Sequence, residues 1–519
     1  MKRPNLLLSR AEKTGLLYFG LGALLFTLFF IAFEAHKYAL VHLHSWYATY
    51  SYAYQFYKLD FLNLFLTHPF SACGYLSIIA GHTDHKLIAT VMGIISSLSG
   101  RFDIRIFRGM NLALLLCVYY GFIRFTKRKL SGQPRVILYA CLCWMTPALL
   151  HAMRTGQNFF YAMVLLFLTF LFIQRYYGHD KWYTSLAGGL LLFAAVLSHR
   201  IMIIYTSWIY IHSIILYTFF NRTHTSAHRS NFALFSAGII LPLVYYYSYY
   251  RAHGFLEPEF IVQEFKPFAN VFSISLIHFR YLVGGIGLCV TVLGVPFLVR
   301  TLLCTRRMSA TEYCAYIIPL SSFAVMGILL LVFSPIMTLR SIFYIPLIPF
   351  LFLFLTGSLS CVPRIFQIIA LIGQITVVCL YLLNNLLLFD MHAHISSVFT
   401  SSAADFIFAP LNGEDADQLF YLQDLHSENQ TIHDIYETLD GYDHFLYCYV
   451  DCETAVNSFL FTSYAQDREL YIHDNLPEEG ESVPLFILLL TDKDLTDIEN
   501  IKAAELLAKT RTSRNTAIS

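Results

Sequence analysis

Charged residues are scarce in this sequence: Asp, Glu, Lys and Arg make up 13% of its 519 residues, where a soluble globular chain carries about 25%. So little charge cannot cover a water-facing surface, which excludes a soluble enzyme of this length. Disordered, coiled-coil and collagen-like chains are excluded by the same composition. Several catalytic signatures are missing too. There is no Ser-His-Asp spacing, no Gly-rich phosphate loop and no Cys-x-x-Cys pair. Of the 11 cysteines, nine are scattered through apolar sequence, where small core residues are expected. Cys448 and Cys452 lie four apart in a strand-like run, too far along an extended chain to bridge each other. No internal repeat or low-complexity run is present.

What the chain has instead is apolar length. Hydrophobic residues make up 57% of it and aromatic residues 16%, with a mean hydropathy of +0.56. A membrane-spanning helix needs roughly 20 apolar residues, and such windows recur from the first residues onward. They predict spans at Gly15–Phe33, Met110–Thr126, Arg135–Leu150, Phe159–Ile173, Leu186–Leu197, Ile201–Phe220, Phe232–Ser248, Tyr281–Leu303, Ala315–Phe333, Ile342–Gly357 and Ile365–Leu388. The expected fold class is therefore a polytopic α-helical membrane protein of about 11 transmembrane helices. The first span has no small-residue cleavage site after it and reads as a retained helix rather than a signal peptide.

Charge is unevenly divided. Residues 401–519 hold 23 of the 34 acids but only 6 of the 35 bases, leaving 11 acids and 29 bases to residues 1–400. This predicts two bodies, a basic transmembrane domain over residues 1–390 and a soluble acidic α/β domain over 391–519. In the second, helical patterns at Gln418–Leu439 and Asp497–Leu507 alternate with strand-like runs at Phe445–Val450 and Pro484–Leu490. The acidic tail argues against a nucleic-acid partner. Basic clusters around the first span, the second span (Arg124, Lys127, Arg128, Lys129), the sixth (Arg222, Arg229) and the eighth (Arg300, Arg306, Arg307) all fall on one side if the amino terminus is cytoplasmic. An odd number of spans then places the tail outside the cytoplasm, together with loops 34–109 and 249–280. Amphipathic stretches at Val41–Tyr57 and Leu87–Leu98 in the first loop suit the membrane interface.

With that topology, eight of the acids before residue 401 share the outer side: Glu34, Asp60, Asp84, Asp103, Glu257, Glu259, Glu264 and Asp390. A carboxylate at the mouth of a membrane cavity is the general base this chain has to offer. Glu34 ends the first span, where a charge gains nothing from lipid and must face a loop or cavity; the alternative is an interfacial helix cap. Asp84 lies in Gly81-His-Thr-Asp-His-Lys86, a stretch dense in groups able to hold a cation, a phosphate or a sugar. His82, Asp84 and His85 are candidate ligands for a divalent metal ion, although the spacing matches no recognised zinc pattern. A phosphate on this side would be gripped by bases. The candidates are Lys37, Arg154, Arg200, Arg251, Arg280 and Arg340; the alternative for each is a base snorkelling to lipid headgroups.

The order of these features resembles the GT-C-type glycosyltransferases that use polyprenyl-phosphate sugars, the group containing protein mannosyltransferases and the aminoarabinose transferases of lipid A. Glu34-Ala-His-Lys-Tyr38 is similar to the family's Asp-Glu-Ala-x-x-Tyr stretch, with Phe33 in place of the first acid. Asp84-His-Lys-Leu87 through Gly100, with Arg105 to Arg108, resembles the family's interfacial helix and the start of its second span, without the two usual prolines. Thr146-Pro147, Arg154, Gln157 and Tyr161-Ala162 resemble the Ser-Pro to Tyr-Ala passage, with Phe159 where an Arg is usual. Leu197-Ser-His-Arg200 resembles the break between paired helices, and Arg340-Ser-Ile-Phe-Tyr-Ile-Pro346-Leu-Ile-Pro349 the late Arg-Tyr-x-x-Pro-x-x-Pro element. The resemblance covers roughly residues 10 to 390.

What the resemblance implies is an inverting transfer of a sugar from a polyprenyl-phosphate donor to a lipid, glycan or protein acceptor at the extracytoplasmic face of a membrane. Glu34 or Asp84 would be the base, and Arg340, Lys37, Arg200 and Arg154 would hold the donor phosphate. Other classes stay open at this stage: a lipid-linked oligosaccharide flippase or transporter, which calls for charged or broken helices at the midplane, a non-catalytic membrane relative, and a membrane-anchored binding domain.

Overall fold

A computed structural model describes residues 10–34, 53, 57, 61–68, 86–100, 104–130, 133–155, 158–199, 201–221, 225–252, 271–304, 308–332, 341–386, 391–400, 446–451, 486–491 and 517–518. Its helices are α1 Arg10–Glu34, α2 Phe61–Thr67, α3 Lys86–Ser99, α4 Ile104–Phe125, α5 Pro134–Cys143, α6 Pro147–Thr155, α7 Asn158–Tyr176, α8 Trp182–Ser198, α9 Met202–Ile215, α10 Ser226–Ala252, α11 Val271–Cys304, α12 Ile318–Val332, α13 Ile348–Cys361, α14 Arg364–Leu386 and α15 Met391–Val398. A 3₁₀ segment, Ser341–Leu347, leads into α13, and π turns extend α4 (Thr126–Leu130) and α9 (Leu216–Phe220).

Every expected span has a described helix, but eight of these helices are long and apolar enough to cross a membrane. That makes the protein an integral, multi-pass membrane protein. The expected third span is divided: α5 ends at Cys143 and α6 starts at Pro147. Proline has no N–H to donate, clashes with the carbonyl four residues back and pushes the residue before it out of helical geometry, so the helix stops ahead of it. The expected fifth span is α8, a 17-residue helix and one of the shorter apolar ones. α10 has 27 residues but is not among the eight.

Two compact units divide the chain. The first comprises Met1–Ala32, Ile78–Leu87 and Arg108–Leu422; the second comprises Phe33–Ser77, Ile88–Phe107 and Gln423–Ser519. At the centre of the first unit stands α13, Ile-Pro-Phe-Leu-Phe-Leu-Phe-Leu-Thr-Gly-Ser-Leu-Ser-Cys, buried at every residue from Ile348 to Leu359. A helix apolar on all sides belongs inside other helices, and α5, α7, α11, α12 and α14 pack against this one. Its rings anchor the core. Phe352 meets Trp144 with centroids 5.7 Å apart, and Phe350 meets Trp208 at 4.9 Å and Phe170 at 5.3 Å. The outer helices keep apolar faces uncovered, including Leu17, Leu24 and Ile31 of α1 and Ile365, Ile369 and Ile372 of α14, the surface that lipid covers.

α8 and α10 approach until Gly189 and Gly238 nearly touch: a Cβ on Gly238 would lie 2.0 Å from the Gly189 carbonyl oxygen. Small residues at such crossings let membrane helices pack backbone to backbone. Gly284 in α11 has φ 77 and breaks the helix there, a conformation open to glycine at no steric cost.

Contacts at helix ends fix which ends lie together in this unit. A Cβ on Gly15 near the start of α1 would be 3.0 Å from Lys127 Nζ, past the end of α4. A Cβ on Gly357, in the last turns of α13, would be 3.6 Å from Leu130. Thr301 Oγ1 in the last turn of α11 lies 3.7 Å from Cys361 Sγ. After α7, the carbonyl of His179 accepts from Asn231 Nδ2 at 2.8 Å, and Asp180 Oδ1 lies 3.1 Å from His228 Nε2, both at the start of α10. Arg124, Lys127, Arg128, Arg175, Arg229 and Arg300 therefore share one end of the helical unit, which we call the basic end.

In the second unit, α3 buries Ile88, Ala89, Met92 and Ser96 and leaves Val91 and Leu98 exposed, an i, i+4 stripe as the amphipathic pattern predicts. It stops at Gly100, whose φ of 70 suits a helix end and whose carbonyl accepts from Tyr57 Oη at 3.1 Å. Three parallel strands, β1 Leu446–Asp451, β2 Phe486–Thr491 and β3 Ala517–Ile518, form one sheet in the order β1-β2-β3. Leu446 pairs with Phe486 and Val450 with Leu490, so the two predicted strand runs are strands and pair with each other. The helical patterns at 418–439 and 497–507 lie outside the described residues.

Candidate functional site

The end of the helical unit away from the basic end is built from the starts of α7 and α9, the end of α8 and the 3₁₀ segment. Its shape follows from the breaks in the sequence there. α8 ends at Ser198, and His199 turns extended (φ −168, ψ 143) before the chain re-enters a helix at Met202. Its ring folds back so that Nδ1 accepts the Ile201 amide at 3.1 Å, while the His199 carbonyl accepts the Met202 amide at 2.9 Å. An accepting Nδ1 leaves Nε2–H as the donor of the neutral ring.

Around this turn three separate parts of the chain meet. Phe159, in the first turn of α7, lies 4.5 Å from the His199 ring and 5.1 Å from the Phe343 ring, centroid to centroid, and His199 is 6.3 Å from Phe343. Tyr205 Oη donates to the Phe343 carbonyl, tying α9 to the 3₁₀ segment. α6 packs against α7 and against the 3₁₀ segment. It is also held from α4, where Asn111 Nδ2 donates to the Met153 carbonyl at 2.9 Å and Tyr161 Oη, from α7, donates to Asn111 Oδ1 at 2.5 Å. Asn111, Met153, Phe159, Tyr161, His199, Tyr205 and Phe343 are all buried.

The predicted site residues stand around this cluster in sequence. Arg154 follows Met153 near the end of α6, Arg200 follows His199, and Arg340 precedes the 3₁₀ segment that carries Phe343. Arg200 and Arg340 themselves lie outside the described residues, and so do Lys37, His82, Asp84 and His85. Glu34 is the last residue of α1. Of the other proposed bases, Arg280 is half-buried in α11 and Arg251 is in the last turn of α10. Among the described residues no group of three His, Cys, Asp or Glu is placed to hold a metal ion.

Sequence reasoning passed over Asn111 and Tyr205 and treated His199 only as part of a helix break. The available signal was polarity in apolar context: a polar side chain inside a membrane segment finds a partner or a task. Phe159 sets its ring against that of His199 in a tilted arrangement.

No family model matches this sequence, and no curated protein matches it. Among solved structures, the crystal structure of ArnT from Cupriavidus metallidurans bound to undecaprenyl phosphate is similar over 74% of this chain and 74% of its own, with 10% sequence identity and a TM-score of 0.42.

Proposed function

We propose that this protein is a membrane glycosyltransferase that moves a sugar from a polyprenyl-phosphate donor to a lipid, glycan or protein acceptor. The observation that carries the reading is the convergence at one end of the helical unit: the immediate chain neighbours of Arg154, Arg200 and Arg340 (Met153, His199 and the 3₁₀ segment) belong to one packed arrangement. Bases that neighbour such a frame in the chain would suit a phosphate that gains negative charge as a sugar leaves it. Segregation of bases to the opposite end supports an orientation with that end cytoplasmic and this one outside.

In the proposed reaction a carboxylate removes the proton from an acceptor hydroxyl, the oxygen attacks the anomeric carbon with inversion, and the lipid phosphate departs with the bonding electron pair. Glu34 is our first choice for the base, because α1 ends with it, and Asp84 is the second. Arg340, Arg200, Arg154 and Lys37 would hold the donor phosphate, with the Arg residues better suited by their planar, bidentate forks. His82, Asp84 and His85 would hold a divalent cation, which would screen the donor phosphate. The soluble acidic domain, 391–519, would face the acceptor.

The test is transfer itself. Full-length protein in lipid, incubated with radiolabelled polyprenyl-phosphate sugars and a cell-envelope extract, should label an acceptor in a time- and protein-dependent way. No label from any polyprenyl-phosphate sugar, with protein that is folded by its melting curve, would refute the reading.

A further inference from the structure

At the basic end, far from the proposed transfer site, a half-open pocket of about 490 Å³ lies between the ends of α4 and α7. It is lined by Arg124 and Arg128, four residues apart and so on one side of the helix end, by Arg175 and Gln174 from α7, and by the apolar Leu168 and Leu171. All three guanidinium groups belong to exposed residues. Among the described residues, no acid lines the pocket. The acid next along from Arg175 is Asp180, whose carboxylate is engaged by His228.

Three cations in one pocket without a carboxylate repel one another unless an anion is shared among them. The negative ends of the α4 and α7 dipoles and the Tyr176 ring 5.3 Å from the Arg175 guanidinium offset part of this repulsion, but they do not explain why the three side chains line a cavity with an apolar wall. A base that only snorkels needs no cavity. Guanidinium forks pair bidentately with phosphate oxygens, the pocket sits where two membrane-spanning helices end, and its Leu-lined wall offers an acyl chain the surface that a free phosphate would not use. Basic pockets between spanning helices suit anionic headgroups on this pattern.

We propose that this pocket binds an anionic phospholipid, its headgroup phosphate held by Arg124, Arg128 and Arg175 and its acyl chain lying along Leu168 and Leu171. The site is separate from the proposed transfer chemistry and stands whether or not the protein is a transferase.

The experiment is native mass spectrometry of delipidated full-length protein titrated with dioleoylphosphatidylglycerol, with dioleoylphosphatidylcholine and with inorganic phosphate. The wild type should prefer phosphatidylglycerol over phosphatidylcholine by at least about tenfold, and the variant carrying Arg124→Gln, Arg128→Gln and Arg175→Gln should lose that preference, since charge-assisted contacts to the phosphate are removed. Leu171→Trp, which fills the apolar wall and leaves the three bases in place, should weaken phosphatidylglycerol binding on its own. Equal binding of the two lipids by the wild type, or an unchanged preference in the triple variant, would overturn the proposal. So would full displacement of phosphatidylglycerol by millimolar inorganic phosphate, which would make the ligand a free phosphate.

Discussion

The bond network that holds α6 gives a sharp test of how the candidate site is positioned. Asn111 is buried in α4 and links two other helices: its amide donates to the Met153 carbonyl at 2.9 Å and its carbonyl oxygen accepts from Tyr161 at 2.5 Å. Tyr161→Phe leaves Asn111 Oδ1 without that donor, and Asn111→Leu leaves both the Tyr161 hydroxyl and the Met153 carbonyl bereft of Asn111. In water each such buried group would cost about 1–3 kcal/mol. In a bilayer, coupling energies between helices average about 0.6 kcal/mol and reach about 1.7, because the unfolded chain in the membrane finds other partners. The bilayer figure decides, since all three helices belong to the membrane domain. The Asn111–Tyr161 coupling should fall in its upper half, about 1–1.7 kcal/mol, given a short bond between buried groups. A double-mutant cycle on Asn111→Leu and Tyr161→Phe, measured by reversible unfolding in mixed detergent, reads this number. If the two variants add to within about 0.3 kcal/mol, outside the expected coupling range, Tyr161 does not hold the Asn111 amide in place to reach the Met153 carbonyl of α6.

Other tests address the fold and its orientation. Gly238→Ala places a methyl group 2.0 Å from the Gly189 carbonyl oxygen, so it should cost about 1–3 kcal/mol and lower the melting temperature; an unchanged melting temperature would contradict the α8–α10 crossing. His179 is buried in the turn between α7 and α8, and burial holds its pKa down to about 4 against an opposing pull from Asp180. The folded ring stays neutral while the unfolded one takes a proton near pH 6.5, so stability should fall by up to about 3 kcal/mol as pH drops from 6.5 to 4. His179→Asn, which tolerates the positive φ of 54 at this position, should flatten that slope in pH-dependent melting, and an equal slope would remove His179 as its cause. For orientation, a cysteine placed at Ser427 should react with an impermeant thiol reagent in intact cells; labelling only after permeabilisation would reverse the topology.

Much of the helical unit was legible in the sequence because hydrocarbon imposes long apolar runs, and each predicted run has its helix. The counting was less legible where a local rule competes with hydropathy. Thr146-Pro147 reads as apolar sequence, yet Pro147 ends the helix and leaves α5 ten residues long. The strands Leu446–Asp451 and Phe486–Thr491 were readable from two short apolar runs; the third strand, Ala517–Ile518, is too short to signal itself. The site was legible as an order of breaks and bases along the chain, and that order brought Arg154, Arg200 and Arg340 into consideration. The sequence could not reveal that the rings of Phe159, His199 and Phe343 would meet, since their contacts span some 180 residues and depend on which helix ends share a face.

The most direct test of the central claim is the rate of sugar transfer from a radiolabelled polyprenyl-phosphate donor by Glu34→Gln and by Arg340→Lys, in protein whose expression and melting temperature match the wild type. Loss of a general base lowers rates about 10²–10⁴-fold, far beyond what a lost helix cap would cause, and a point charge replaces the bidentate fork poorly at a phosphate. The account predicts that Glu34→Gln abolishes transfer and that Arg340→Lys weakens donor use. Near-normal turnover in Glu34→Gln would move the base to Asp84, and near-normal turnover in Asp84→Asn as well would contradict the assignment.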